Sequence, residues 1–231
     1  MAIIREIVFG DGTVVRITDW GDYPIFSRLI MDTVASFDAN NEVYIFNYQK
    51  GGQIPITAIR ATEADTNMPG MGQLPMGHQM LVYSLQVIPD EFSHATAAKT
   101  FLPEEHVNLA YAKFRRIFHQ SVLKLVVEQT KSFVEGRLDY FPAGGGFHID
   151  HNSFVNDVVT SYAAGYQVTN GQKTWAATRR LAMPVHLGAL ETFYVSLGWP
   201  RGMDGATGIS PFGTGLGLTV RMTGPRQRPT A

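Results

Sequence analysis

Leu123, Leu125 and Val127 alternate with Lys124 and Glu128, so apolar side chains share one face of the segment and polar ones the other. A period of two marks a half-buried strand. The polar run Gln129-Thr130-Lys131 turns the chain back into Ser132–Val134, which predicts a hairpin. Further on, Pro142 removes a backbone donor and Gly144–Gly146 permit positive φ, so a loop follows. Two late segments carry the same alternation. Phe193, Val195, Leu197 and Trp199 alternate with Thr192, Tyr194 and Ser196, and Leu216, Leu218, Val220 and Met222 with Gly217, Thr219 and Arg221. Both read as strands with one face buried.

The pattern elsewhere is mixed. Ile3–Phe9 and Thr13–Trp20 flank Gly10-Asp11-Gly12 and predict an opening hairpin. Phe26, Leu29, Ile30, Val34 and Phe37 recur at helical spacing after Asp22 and Pro24, predicting a short helix closed by Ala39-Asn40-Asn41. Glu42–Tyr48 reads as a strand, residues 61–78 as a long loop, and Gln79–Ile88 as a strand that Pro89 ends. In that strand Leu81, Tyr83, Leu85 and Val87 are expected on one face.

A second helix is predicted from the stripe Val107, Ala110, Tyr111, Phe114, Ile117 and Phe118. Pro103-Glu104-Glu105 suits its first turn and Arg115-Arg116 its end. A third, on Phe154, Val155, Val158, Val159 and Tyr162, is expected to stop at Gly165. The sum is about eight to ten short strands with two or three inserted helices. The fold expected is mainly β: an antiparallel two-sheet sandwich, a jelly roll, forming one domain over residues 1–224. Residues 225–231 are expected to be a polar tail, mobile unless a partner orders it.

Composition narrows the function. Hydrophobic residues make up 45% of the 231 and charged residues 17%, with a formal net charge of −1. That balance supplies a large core and lacks the basic excess of a dedicated nucleic-acid binder. The absence of cysteine excludes disulfides, thiol catalysis and Cys-ligated metal. The first ten residues lack a signal-peptide pattern, and no apolar run approaches the roughly 20 residues that cross a bilayer. A soluble chain without a transmembrane segment is therefore expected.

Candidate chemistry is sparse. His148 and Asp150, with the distant His186, match part of the facial triad that holds Fe(II) on double-stranded β-helices. No Arg-x-Ser follows His186 to hold an oxoacid, and Asp150 or Asn152 suits equally well as a helix cap. Met68, Met71, Met76, His78 and Met80 have thioether and imidazole groups suited to Cu(I); methionines in such a loop also serve as adaptable contact surface. Gly213–Gly217 and Gly144–Gly146 lack the Lys-Ser/Thr of a phosphate loop. Glu63 and Asp65 read as solvated acids in a polar loop. Tyr140, Phe141 and Trp175 are candidate stacking platforms for a carbohydrate module, and Arg221, Arg226 and Arg228 candidate contacts to a packaged genome. No residue is assigned a catalytic, cofactor-binding or metal-binding role.

Two stretches carry a resemblance. Leu138-Asp139-Tyr140-Phe141-Pro142-Ala143-Gly144-Gly145-Gly146, reached from the hairpin, and Arg180–Trp199, in which a loop feeds an alternating strand, resemble segments of the jelly-roll coat proteins of small tailless icosahedral bacteriophages. They cover about a fifth of the chain and are patterns rather than invariant motifs. The resemblance implies a non-enzymatic capsid subunit, made in the host cytoplasm and residing in the virion. Its partners would be copies of itself, with other virion proteins and the packaged genome as further contacts. The alternatives are a non-haem Fe(II) enzyme using His148, Asp150 and His186, and a carbohydrate-binding jelly roll.

Overall fold

The computed structural model describes residues 6–8, 14–16, 20–31, 36–37, 42–91, 117–128, 131–141, 148–154, 163–169, 178–204 and 216–227. Strands dominate. In chain order they begin with β1 (Glu6–Val8), β2 (Val14–Arg16), β3 (Trp20–Asp22), β4 (Ile25–Met31), β5 (Ser36–Phe37) and β6 (Glu42–Ile45). The long β7 (Gln79–Glu91) follows, then β8 (Val122–Val127), β9 (Lys131–Gly136), β10 (His148–Phe154) and β11 (Ala163–Thr169). The last are β12 (Arg180–Leu187), β13 (Phe193–Gly198), β14 (Met203–Asp204), β15 (Leu216–Thr223) and β16 (Pro225–Gln227).

Two main sheets form, and every strand pair in them is antiparallel. In the first, β3 and β4 are one row broken at Tyr23-Pro24, and β15 and β16 another broken at Gly224. The rows run β3/β4, β15/β16, β7, β12. In the second the order is β6-β13-β8-β9. β1 pairs with β2, β10 with β11, and β14 with β5 as separate two-stranded ladders.

Ile25, Leu29 and Met31 of β4, Leu85 and Val87 of β7, Leu187 of β12 and Leu218, Val220 and Met222 of β15 point inward. They meet Val43 and Ile45 of β6, Leu123 and Leu125 of β8, and Phe193, Val195 and Leu197 of β13 in one continuous core. Each such side chain contributes roughly 1.5–3 kcal/mol on burial. The alternation expected for β8, β13 and β15 is therefore the inner face of two facing sheets.

Several expectations are corrected. The segment expected as the first helix holds β4 and β5 instead. Its helix-like spacing arises because β4 is apolar on both sides: Leu29 faces the core, while Ile30 is covered from outside by Tyr48, Ile54 and Ala61. Second, β7 does not end at Pro89, which lies opposite Leu218. Nitrogens alternate sides along a strand, so that of Pro89 points as Val87 N–H does, towards the Phe141 carbonyl and away from β15. The missing donor thus costs no ladder bond.

Third, β7 carries Met80 and Val82 on the core face beside Leu85 and Val87, whereas Tyr83 is 37% exposed. Between the pairs Ser84–Thr223 and Met80–Arg226, β7 has three residues and the opposing row two. This extra residue is a bulge and reverses the facing. Gly224 sits opposite it at φ 153°, where a Cβ would lie 1.8 Å from the Leu81 carbonyl oxygen. Fourth, Pro225–Gln227 are strand rather than tail, and Gly165 lies inside β11 opposite Asn152 rather than ending a helix. Residues 155–162 and 228–231, and most of the second predicted helix, lie outside the described residues; residues 117–120 form one helical turn.

Candidate functional site

The candidate triad is spread over two strands. His148, Asp150 and His151 lie in β10. On β12 the His186 imidazole Nε2 is 3.2 Å from Gln79 Oε1. Among the described residues no three His, Asp or Glu side chains gather as a metal site. Of the five candidate copper ligands, Met68 and Met80 are core residues, Met71 and Met76 are exposed, and His78 Nδ1 lies 3.3 Å from an Arg226 guanidinium nitrogen. These side chains diverge because β7 draws Met80 inward while the preceding loop leaves Met71 and Met76 outside.

The stacking candidates also part. Phe141 is only 2% exposed and belongs to the core, so it offers no platform. Tyr140, beside it on the 3-10 turn Leu138–Tyr140, is 48% exposed. Arg137 and Arg179 place their guanidinium carbons 5.2 and 5.3 Å from its ring centroid. Cation–π attraction holds such pairs. The Asp139 carboxylate accepts from Arg137 at 2.8 Å and lies 3.0 Å from His119 Nδ1. Trp175, Pro142 and Gly144–Gly146 lie outside the described residues. Sequence reasoning missed the Arg179 partner, since no local pattern joins it to the 3-10 turn.

Asp65 is not solvated. It is buried, accepts from the Thr62 amide and hydroxyl at 2.8 and 2.7 Å, and meets the Arg28 guanidinium at 3.4 Å. Glu63 pairs with Lys50, whose hydrogen bond lowers its pKa. The three candidate genome-contacting arginines differ in fate. Arg221 projects from the outward face of β15, Arg226 is 6% exposed in β16, and Arg228 is outside the described residues.

Three of the ten exposed large hydrophobic side chains among the described residues lie at one end of the sheets. The loop before β7 and the loop between β12 and β13 are joined by bridges Leu74–Ala189 and Gln73–Thr192 and by Leu190 N–H donating to the Leu74 carbonyl. This joined pair presents Met71, Met76 and Leu190 at 61, 80 and 56% exposure. Leu190 also holds φ 61°, a left-handed conformation costing a branched residue roughly 1–2 kcal/mol. The chain matches no family model, no curated protein and no solved structure.

Proposed function

We propose that the chain is a jelly-roll capsid subunit that assembles with copies of itself into an icosahedral shell, without catalysing a reaction. Sheet order carries this reading. With the rows numbered along the chain as β3/β4, β6, β7, β8, β9, β12, β13 and β15/β16, the first neighbours the last. The second neighbours the seventh, the third the sixth, and the fourth the fifth. A long hairpin rolled into two facing sheets has this order, and viral shells use it widely. The helical turn at residues 117–120, just before β8, fits the same plan.

The joined loops with Met71, Met76 and Leu190 supply apolar surface for a neighbouring copy. The resemblance to coat proteins of small tailless icosahedral bacteriophages agrees, with the host cytoplasm as the place of synthesis, the virion as the destination, and other virion proteins as further contacts. Light scattering and negative-stain microscopy of the purified chain, over a range of salt and concentration, test this function. Closed particles or defined oligomers are expected; a monomer under every condition overturns the reading.

A further inference from the structure

We propose that the outer edge of β6 is a dimerisation site, where β6 of one copy pairs antiparallel with β6 of a second copy about a two-fold axis at Val43. The proposal adds a second contact to the joined loops and stands whether or not shells form.

Backbone direction identifies the edge. Gly72, bonded to the Phe46 carbonyl just after β6, also accepts from Phe193 N–H. The Thr192 carbonyl instead accepts from Glu128 N–H just after β8. Backbone groups alternate sides along a strand, so Val195 and Leu197 turn theirs towards β6 and meet Ile45 and Val43. The N–H and C=O groups of Glu42 and Tyr44 therefore point away from β13. Among the described residues no backbone group bonds them there.

The other outermost rows differ. β9 and β12 carry register shifts, and Asn67 bonds both the amide and the carbonyl of Phe26 on β4. β6 matches β13 residue for residue from Glu42 to Ile45. Its side chains also fold back from the edge. The Glu42 stem lies over Gly198, with Cγ 3.4 Å from where a Cβ would stand, and its carboxylate reaches Lys124 on β8 at 3.2 Å. Tyr44 leans edge-to-face on Tyr194 of β13, with ring centroids 5.0 Å apart. A charge commonly guards a sheet edge. Here Lys124 neutralises it and draws it inward.

Self-complementarity fixes the occupant. With Val43 opposite the partner's Val43, Glu42 lies opposite the partner's Tyr44, and Tyr44 opposite the partner's Glu42. These are the residues whose backbone groups point outward, so each such pair exchanges both of its N–H···O bonds. An isologous contact of this kind closes after two copies and joins their four-stranded sheets into one. The two β6 strands run in opposite directions, so the apolar loops beside Gly72 lie at opposite ends of the pair and stay open to other neighbours.

Sedimentation velocity of the full chain over a range of concentration should show dimers. Proline at residue 44 removes only an outward N–H and keeps the ladder to β13. Tyr44→Pro should therefore be monomeric with unchanged circular dichroism. The chain has no cysteine, so single cysteines report the register. Val43→Cys should give a disulfide-linked dimer in oxidised glutathione, because the opposed Cα atoms lie about 4.5 Å apart. Tyr44→Cys should not, since its two Cα atoms lie about 8 Å apart, beyond the reach of roughly 7 Å. A dimeric Tyr44→Pro of native circular dichroism, or a Val43→Cys that crosslinks no better than Tyr44→Cys, overturns the proposal. If Tyr44→Pro fails to fold, the cysteine pair decides alone. Dimers that never grow into particles would sink the shell reading alone, whereas particles that persist in Tyr44→Pro would sink the edge contact alone.

Discussion

Tyr48 shows how one hydroxyl ties a loop to a strand. It is almost fully buried, accepts a hydrogen bond from the Arg28 amide at 2.9 Å and donates to the Arg28 carbonyl. The free edge of β4 thereby gains a partner where no strand pairs with it. Burial, the largest influence, raises the pKa of this phenol above 10.0. A raised folded pKa means that its contribution is complete below pH 10 and is lost as pH climbs through the folded value. Tyr48→Phe should cost about 1–3 kcal/mol at neutral pH, because both Arg28 backbone groups lose their partner. Comparing chemical denaturation of the two proteins from pH 7 to 11 checks both parts: the gap should narrow above pH 10.

At the scale of elements, Trp199 links the second sheet to the helical turn before β8. Its indole Nε1–H donates to the Ile117 carbonyl at 3.1 Å, and the Ser121 hydroxyl donates to the Phe118 carbonyl at 2.9 Å. Trp199→Phe keeps an aromatic ring but leaves that carbonyl buried without its donor. A loss of about 1–3 kcal/mol is expected in equilibrium unfolding. A loss under about 0.3 kcal/mol would mean the turn is held by packing alone.

Trp199 also marks what the sequence made legible. Strands β8, β13 and β15 have one buried face, so period two survives in their residues. In β4 it does not, because Ile30 is buried from the far side by residues over twenty positions away in the loop containing Ile54 and Ala61. In β7 the bulge reverses the pattern halfway, and its cause is the shorter opposing row at Gly224-Pro225, which no local reading of β7 contains. The candidate surface follows the same division. The methionines of the loop before β7 were legible as a cluster, yet which of them face outward depends on where β7 begins. Arg179 meets Tyr140 only through the fold, so neither residue's neighbours in sequence announce the pair.

At the scale of the molecule, the proposed assembly rests on the joined loops and the apolar side chains they expose. Met76→Lys combined with Leu190→Lys places two charges on that apolar end without touching the core. The melting temperature should stay within a few degrees, since exposed substitutions change stability by about 0.5 kcal/mol or less. Light scattering should at the same time show particles replaced by smaller species. Retained assembly in the double variant would move the contact to another surface.

Three of the four outermost rows of these sheets are also interrupted. β9 is bulged between Leu125 and Val126 of its partner, β12 between Arg180 and Val185 with Pro184 in the gap, and β4 is capped by Thr66 and Asn67. Each interruption denies an incoming chain the straight run of amides that fibrils grow upon. At these three edges, protection from cross-β pairing comes from the backbone rather than from surface charge.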